Sequence, residues 1–170
     1  MARSEAQLNR VSLQTKLAND LPLIMGDRIQ LQQVILNLLI NAIEAMSGAG
    51  AGPRELWVSS EKVSEIANEL EEDTLEDKDF ADAEWTHILI AVRDSGPGLD
   101  PMGPDRLFDA FHTTKPQGLG MGLAISRSIV EAHEGRLWAT ANASRGAIFQ
   151  FALPIPDQCR RRSSPEWATL

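Results

Sequence analysis

The chain has 170 residues, 43% of them hydrophobic and 24% charged, with a formal net charge of −8. That length suits one globular domain able to bury a core without disulfides or metal. No stretch approaches 18 uninterrupted apolar residues, the opening MARSEAQLNR has no apolar signal region, and the lone Cys159 excludes an internal disulfide and suits a reducing cytoplasm.

The charge is local. Residues 61–84 hold eleven acidic residues and two lysines, a net of −9, so the remainder sums to +1 and carries no basic footprint for nucleic acid.

In chain order, residues 11–17 alternate, with Val11, Leu13, Thr15 and Leu17 on one face of a strand. A turn follows at residues 19–22, and Asp27 then caps a long helix ending near Met46. Its apolar stripe is Leu31, Val34, Ile35, Leu38, Leu39 and Ala42, at helical spacing. The SGAGAGP run at 47–53 ends the helix, and residues 54–60 make a second strand. The acidic run that follows is poor in apolar residues and reads as a solvated, flexible insertion.

Residues 88–92 form a continuous apolar strand, and the Gly- and Pro-rich stretch 94–104 is loop. Residues 105–111 suggest a short helix, 113–120 a loop, and 120–132 a second main helix with Met121, Ile125, Ile129 and Ala132 along one side. Residues 136–141 and 147–153 close the fold as a hairpin, and a polar tail is expected past Pro154. Segregated helices and strands predict an α+β fold, a two-layer sandwich with a mostly antiparallel mixed sheet and helices on one face.

Three places carry candidate chemistry. On the long helix, Gln33, Asn37, Asn41 and Glu44 fall on one stripe. It is either a solvated polar face or a row of oxygens able to hold Mg²⁺, an ion that needs few protein ligands when phosphates supply the rest. Asp94-Ser95-Gly96-Pro97-Gly98 follows an apolar strand directly. It is either a plain turn or a carboxylate beside bare backbone, where a flat ring can approach and an exocyclic amine can donate to Asp94. Gly118-Leu119-Gly120-Met121-Gly122-Leu123 precedes a helix. It lacks the strand of a dinucleotide fingerprint and the Lys-Ser/Thr of a Walker loop. Its glycines and the helix start still suit phosphate, and Lys115 just upstream can reach the same phosphates.

The order and spacing of Asn37–Asn41, Asp94-x-Gly96-x-Gly98, Phe108-x-x-Phe111 and Gly118-x-Gly120-x-Gly122 resemble the asparagine, first glycine, phenylalanine and second glycine boxes of histidine kinase catalytic domains. The resemblance spans about residues 11–154, and the phrase LFDAFHTTKPQGLGMGLAISRSIVEAHEGRL is similar to the nitrogen-regulation and oxygen-sensing subgroup with a short ATP lid.

The resemblance implies the Bergerat ATP-binding fold, shared with gyrase, MutL and the heat-shock chaperone ATPases. It implies that Asn41 ligands Mg²⁺, that Asp94 binds the adenine amine, and that Gly96 and Gly98 shape the adenine pocket. Phe108 and Phe111 would anchor a lid over about residues 112–118, Lys115 would contact the β- or γ-phosphate, and Gly120, Met121, Gly122 and Leu123 would cradle the phosphates. Asn37 stands where hydrolytic relatives carry a glutamate base, and an amide has no basic form near neutral pH. Ala147 follows Gly146 where the family often has threonine.

The implied activity is transfer of the ATP γ-phosphate to a histidine on a dimerisation domain outside this chain, and thence to a cognate response regulator. The domain is expected to be cytoplasmic, with no nucleic-acid partner and no membrane insertion of its own. His87, His112 and His133 do not sit in the family's phosphoacceptor context. A nucleotide-binding regulatory module without phosphotransfer and an anti-sigma-type serine kinase are the alternatives.

Overall fold

The structure is a computed structural model that describes residues 2–48, 52–64, 85–99, 107–109, 120–143 and 145–160. Its elements in chain order are α1 (Ala2–Leu8), β1 (Ser12–Leu17), α2 (Arg28–Ser47), β2 (Glu55–Val63), β3 (His87–Asp94), α3 (Gly122–Ala132), β4 (Arg136–Ala141), β5 (Ala147–Pro154) and α4 (Asp157–Arg160). The strands form one sheet in the order β1-β2-β3-β5-β4. Among the described strands only β1 and β2 pair in parallel. A parallel pair needs a crossover, and α2 supplies it.

Residues that share a face in register define the core. Val58, Val92, Phe149 and Ala139 follow one another across four strands, Ile90, Phe151 and Leu137 form the next row, and Leu56 stands opposite Asp94 on the same face. This face packs under α2 and α3, and Val34, Leu38, Ala42, Ile43 and Met46 of α2 are buried against it. The opposite face carries polar and aromatic pairs, with Arg93 over the Trp57 ring and Arg136 over Trp138. The two-layer arrangement follows from this division.

Helix α2 is long and apolar enough to cross a membrane by length and composition alone. Its burial on the sheet and its stripe of Gln33, Asn37, Asn41 and Glu44 identify it instead as the core helix of an amphipathic layer. The expected stripe on α2 is observed, with Leu31, Ile35 and Leu39 partly buried and Ile43 and Met46 added to it.

Asp27 caps α2 as its sequence position predicts. Its Oδ1 accepts from Ile29 N at 2.7 Å and from Gln30 N at 3.2 Å, satisfying two of the orphan donors of the first turn. Asp27→Ala is expected to destabilise the fold by about 1 kcal/mol, read as a shift in urea midpoint at unchanged slope. No shift would mean that the cap contributes nothing.

Four differences from the sequence reading stand out. First, α1 was not expected. Ala6 is its buried contact, and the helix stops where Arg10 turns to a φ of +55° and Val11 N donates back to Ala6 O. Second, β1 keeps the predicted face, but only Val11 and Leu13 join the core while Leu17 is 56% exposed. The strand lies at the sheet edge, and its residues beyond Leu13 are exposed. Third, β2 runs to Val63, so the first three residues of the expected insertion are strand paired with β3. The rest of that insertion, 65–84, lies outside the described residues. Fourth, the fold continues past Pro154, with Ile155 buried, its N–H donating to Thr86 O at 2.8 Å, and α4 following.

Candidate functional site

Asp94 ends β3 and is only 2% exposed. Its Oδ1 accepts from Gly96 N at 2.7 Å and from Ala147 N at 3.3 Å. Both bonds fall on one oxygen, so Oδ2 is the one left to meet a ligand. Burial pushes the Asp94 carboxyl above its ordinary value, and the two backbone donors pull partly against that rise. A buried acceptor held by main-chain amides is a recognition group with little freedom to turn away.

The turn after β3 is braced on both sides. Ser95 Oγ donates to Pro53 O and accepts from Glu55 N, each at 2.9 Å. Asn142 Nδ2 donates to the main-chain oxygens of Asp94 and Arg145, joining the β4–β5 loop to the same place. Gly96 is buried, with the space for a Cβ occupied by Asp94 Oδ1 and, at 3.6 Å, by Ala45 of α2. Gly98 faces the Gly146 main chain. The turn therefore lies beside the C-terminal third of α2.

The other end of the site lies against the middle of α2. Asn37 Nδ2 is 3.3 Å from both Gly122 O and Ser126 Oγ, and its Oδ1 accepts from Gln33 Nε2 at 2.9 Å. Ser126, fully buried, donates to Gly122 O at 2.9 Å. Met121 is the N-cap of α3 and makes no side-chain cap bond, so the first N–H groups of α3 receive nothing from their N-cap side chain. Gly120 turns into this end with a φ of +65°, a conformation that favours glycine.

These contacts lay the site out along α2. Gly122 meets Asn37 and Gly96 meets Ala45, eight residues further on. At the helical rise that is about 12 Å, a span that an extended nucleoside triphosphate can bridge. Asn41 stands midway, half-buried, one turn from Asn37.

Of the residues singled out in the sequence, the fold thus gathers Asn37, Asn41, Asp94, Gly96, Gly98, Gly120, Met121, Gly122 and Leu123 around α2. Phe108 is buried, with the Arg127 guanidinium 5.7 Å from its ring. Phe111, Lys115 and Gly118 lie outside the described residues.

Sequence reasoning missed Ser126, Asn142 and His133. Ser126 was findable, since it stands one helical turn after Gly122 and faces it. The bond from Asn142 to Asp94 depends on tertiary pairing and has no local signal. In the sequence His133 was set aside for lacking the phosphoacceptor context, yet both its ring nitrogens are engaged, by Asp27 N and by Ile129 O.

Residues 26–157 match the family described as histidine kinase-, DNA gyrase B-, and HSP90-like ATPase. The chain is 39% identical over 153 residues to the sensor histidine kinase TmoS of Ectopseudomonas mendocina, covering 90% of this chain and 14% of that protein. It is 40% identical over 153 residues to the sensor protein FixL of Bradyrhizobium diazoefficiens, covering 90% of this chain and 26% of that protein. The chain thus spans about a quarter or less of these relatives. Among solved structures it resembles the catalytic domain of the histidine kinase ThkA in a nucleotide-free form, with a TM-score of 0.67 and 27% identity over 89% of this chain and 84% of that one.

Proposed function

The chain belongs to the family of histidine kinase-, DNA gyrase B- and HSP90-like ATPases, and we propose that it is the ATP-binding catalytic domain of a sensor histidine kinase. The observation that carries this reading is the alignment of the Asp94 turn, Asn41 and the α3 N-terminus along one helix.

Adenine lies at the Asp94 end, its exocyclic amine donating to Oδ2, with Gly96 and Gly98 leaving room for the ring. The phosphates lie at the other end, where the backbone amides of Gly120, Met121, Gly122 and Leu123 and the dipole of α3 favour negative charge. The family resemblance would make Phe111 an anchor of an ATP lid and would bring Lys115 and Gly118 to the phosphates. Mg²⁺ fits the donor set, since it keeps waters, shares phosphate oxygens and asks little of the protein. Asn41 is the ligand the chain would supply, and the bound ion would neutralise triphosphate charge.

Asn37 activates no water. An amide is not a base near neutral pH, and this one is already engaged with Gly122, Ser126 and Gln33. The domain's share of the reaction is therefore to bind, orient and exclude, with the nucleophile an imidazole on a separate dimerisation domain. A cognate response regulator would receive the phosphoryl group from that histidine. The use of ATP fits a cytoplasmic location.

The docking surface for the dimerisation helices is the apolar groove along α3. Gln30, Met121, Ile125 and Ile129 line a cavity of about 400 Å³, and the exposed Leu23, Met25 and Ile29 lie on the segment that leads into and begins α2. The groove starts at Met121, next to Gly122, so a helix seated there brings its side chains to the phosphate end.

The test supplies the dimerisation domain in trans with ATP labelled on the γ-phosphate. Label is expected on its histidine. Ile125→Glu, which sets a charge in the groove, should lower transfer roughly tenfold or more, about 1.4 kcal/mol in the barrier, while ATP-analogue affinity stays unchanged. Absence of label with nucleotide bound would refute the kinase reading, and label on a serine would move the protein to the serine-kinase branch.

A further inference from the structure

His133 caps the C-terminus of α3. Its Nδ1 is 2.7 Å from Ile129 O, and its Nε2 is 2.9 Å from Asp27 N. A carbonyl can only accept and an amide N–H can only donate. The two partners therefore dictate one form of the ring, neutral, with the proton on Nδ1. Gly26 allows the approach, because a Cβ there would stand 2.9 Å from the ring.

Asp27 is the N-cap of α2, so one imidazole joins the end of α3 to the start of α2. Eleven residues back along α3 from His133, Gly122 meets Asn37, ten residues forward along α2 from Asp27. The two helices thus run antiparallel and are clamped at both ends of α3. The far clamp lies at the phosphate end of the cleft, and the near clamp is His133.

We propose that His133 is a positioning residue, whose neutral ring fixes the register of α2 against α3 and so holds Asn37 and Asn41 opposite the amides of Gly120–Leu123. The inference rests on the nucleotide cleft described above. Without an acceptor at the Nε2 position the Asp27 N–H loses its partner on α3, and the near clamp opens. The charged side chains flanking the ring in the chain are Asp27 and Arg28 at the start of α2, Glu131 and Glu134 at the end of α3, and Arg136 at the start of β4. Asp27 Oδ1 is held by Ile29 N and Gln30 N, and Glu131 pairs with Arg127 at 2.9 Å. The ring is bonded through main-chain groups at both nitrogens.

The register bears on phosphate and not on adenine, which is held by the Asp94 turn. The readout is therefore the ratio of affinities for a non-hydrolysable ATP analogue and for adenosine, measured by calorimetry at one neutral pH. His133→Gln reaches as far as Nε2 and can accept from Asp27 N–H, so it should keep the ratio of the unmodified chain. His133→Asn can still donate to Ile129 O but falls short of Asp27, and its ratio should fall about tenfold, equivalent to about 1.4 kcal/mol, while adenosine binding persists. Equal ratios for Gln and Asn, or a loss of adenosine binding as large as the loss of analogue binding, would overturn the inference. Failure of the unmodified chain to bind the ATP analogue would overturn the cleft itself.

Discussion

Asp94→Asn is expected to weaken ATP binding about tenfold to a hundredfold without costing the unliganded fold stability at neutral pH. Gly96 N and Ala147 N both donate to Oδ1, so the single amide oxygen of an asparagine is drawn to them and its NH₂ occupies the place of Oδ2. That NH₂ would then face the adenine amine, donor against donor. A charge-assisted bond of this kind is worth about 1.5–3 kcal/mol, which converts to the stated range. Calorimetric titration of both proteins with an ATP analogue reads the loss, and equal affinity would remove Asp94 from the adenine site.

The same substitution has a second consequence. Burial holds the Asp94 carboxyl above its ordinary value in the folded state. The folded chain therefore retains the Asp94 proton to a higher pH than the unfolded chain does. The resulting stability is complete below the ordinary value of 3.8 and is lost as pH rises through the raised folded value. Asn carries no such linkage. Urea titrations across the acid range should show the native chain losing stability relative to Asp94→Asn as pH rises. Parallel profiles would mean that the carboxyl is not desolvated as the fold implies.

Gly146→Ala is expected to be the most damaging single-methyl change. Gly146 has a φ of +99°. A Cβ there would fall onto the Asp94 carbonyl oxygen, 2.7 Å from its carbon and 2.9 Å from Oδ1. None of these atoms is the free tip of a flexible side chain, so β3 and β5 would have to part. A left-handed residue with a Cβ costs roughly 1–2 kcal/mol and overpacking typically about 1–3 kcal/mol. Together they predict about 2–5 kcal/mol, a large share of the roughly 5–15 kcal/mol that holds a domain together. Gly48→Ala is the control: its φ is −84° and a Cβ meets nothing within 4 Å, so stability should stay within about 0.5 kcal/mol. Equal urea midpoints for the two variants would contradict the packing at Gly146. Nucleotide binding should fall with stability in Gly146→Ala, because the Ala147 amide that holds Asp94 moves with it.

What the sequence disclosed, and what it hid, follows from the range of the forces involved. Helix α2 was legible because twenty residues repeat one apolar stripe behind an Asp cap, and the β4–β5 hairpin because alternation and a turn are local signals. Helix α1 was not legible: among its described side chains Ala6 alone is buried, and Leu8 is left 79% exposed. The parallel pairing of β1 with β2 and the extension of β2 through Glu61, Lys62 and Val63 were hidden because partners remote in sequence decide them. At the site, residue types and order led to Asp94 and to Gly120–Leu123. The clamps made by Ser126 and His133 rest on the antiparallel packing of α2 and α3, which no single segment encodes.

The central claim is that one nucleotide lies along α2 with its ring at Asp94 and its phosphates at the start of α3. Mapping amide chemical shifts during addition of a Mg²⁺-ATP analogue, and separately of adenosine, tests it most directly. The analogue is expected to move the Gly96 and Ala147 signals together with those of Gly122 and Leu123, while adenosine moves the first pair alone. Shifts gathered on the opposite face of the sheet around Trp57 and Trp138, or an adenosine response at Gly122 and Leu123 equal to that of the analogue, would contradict it.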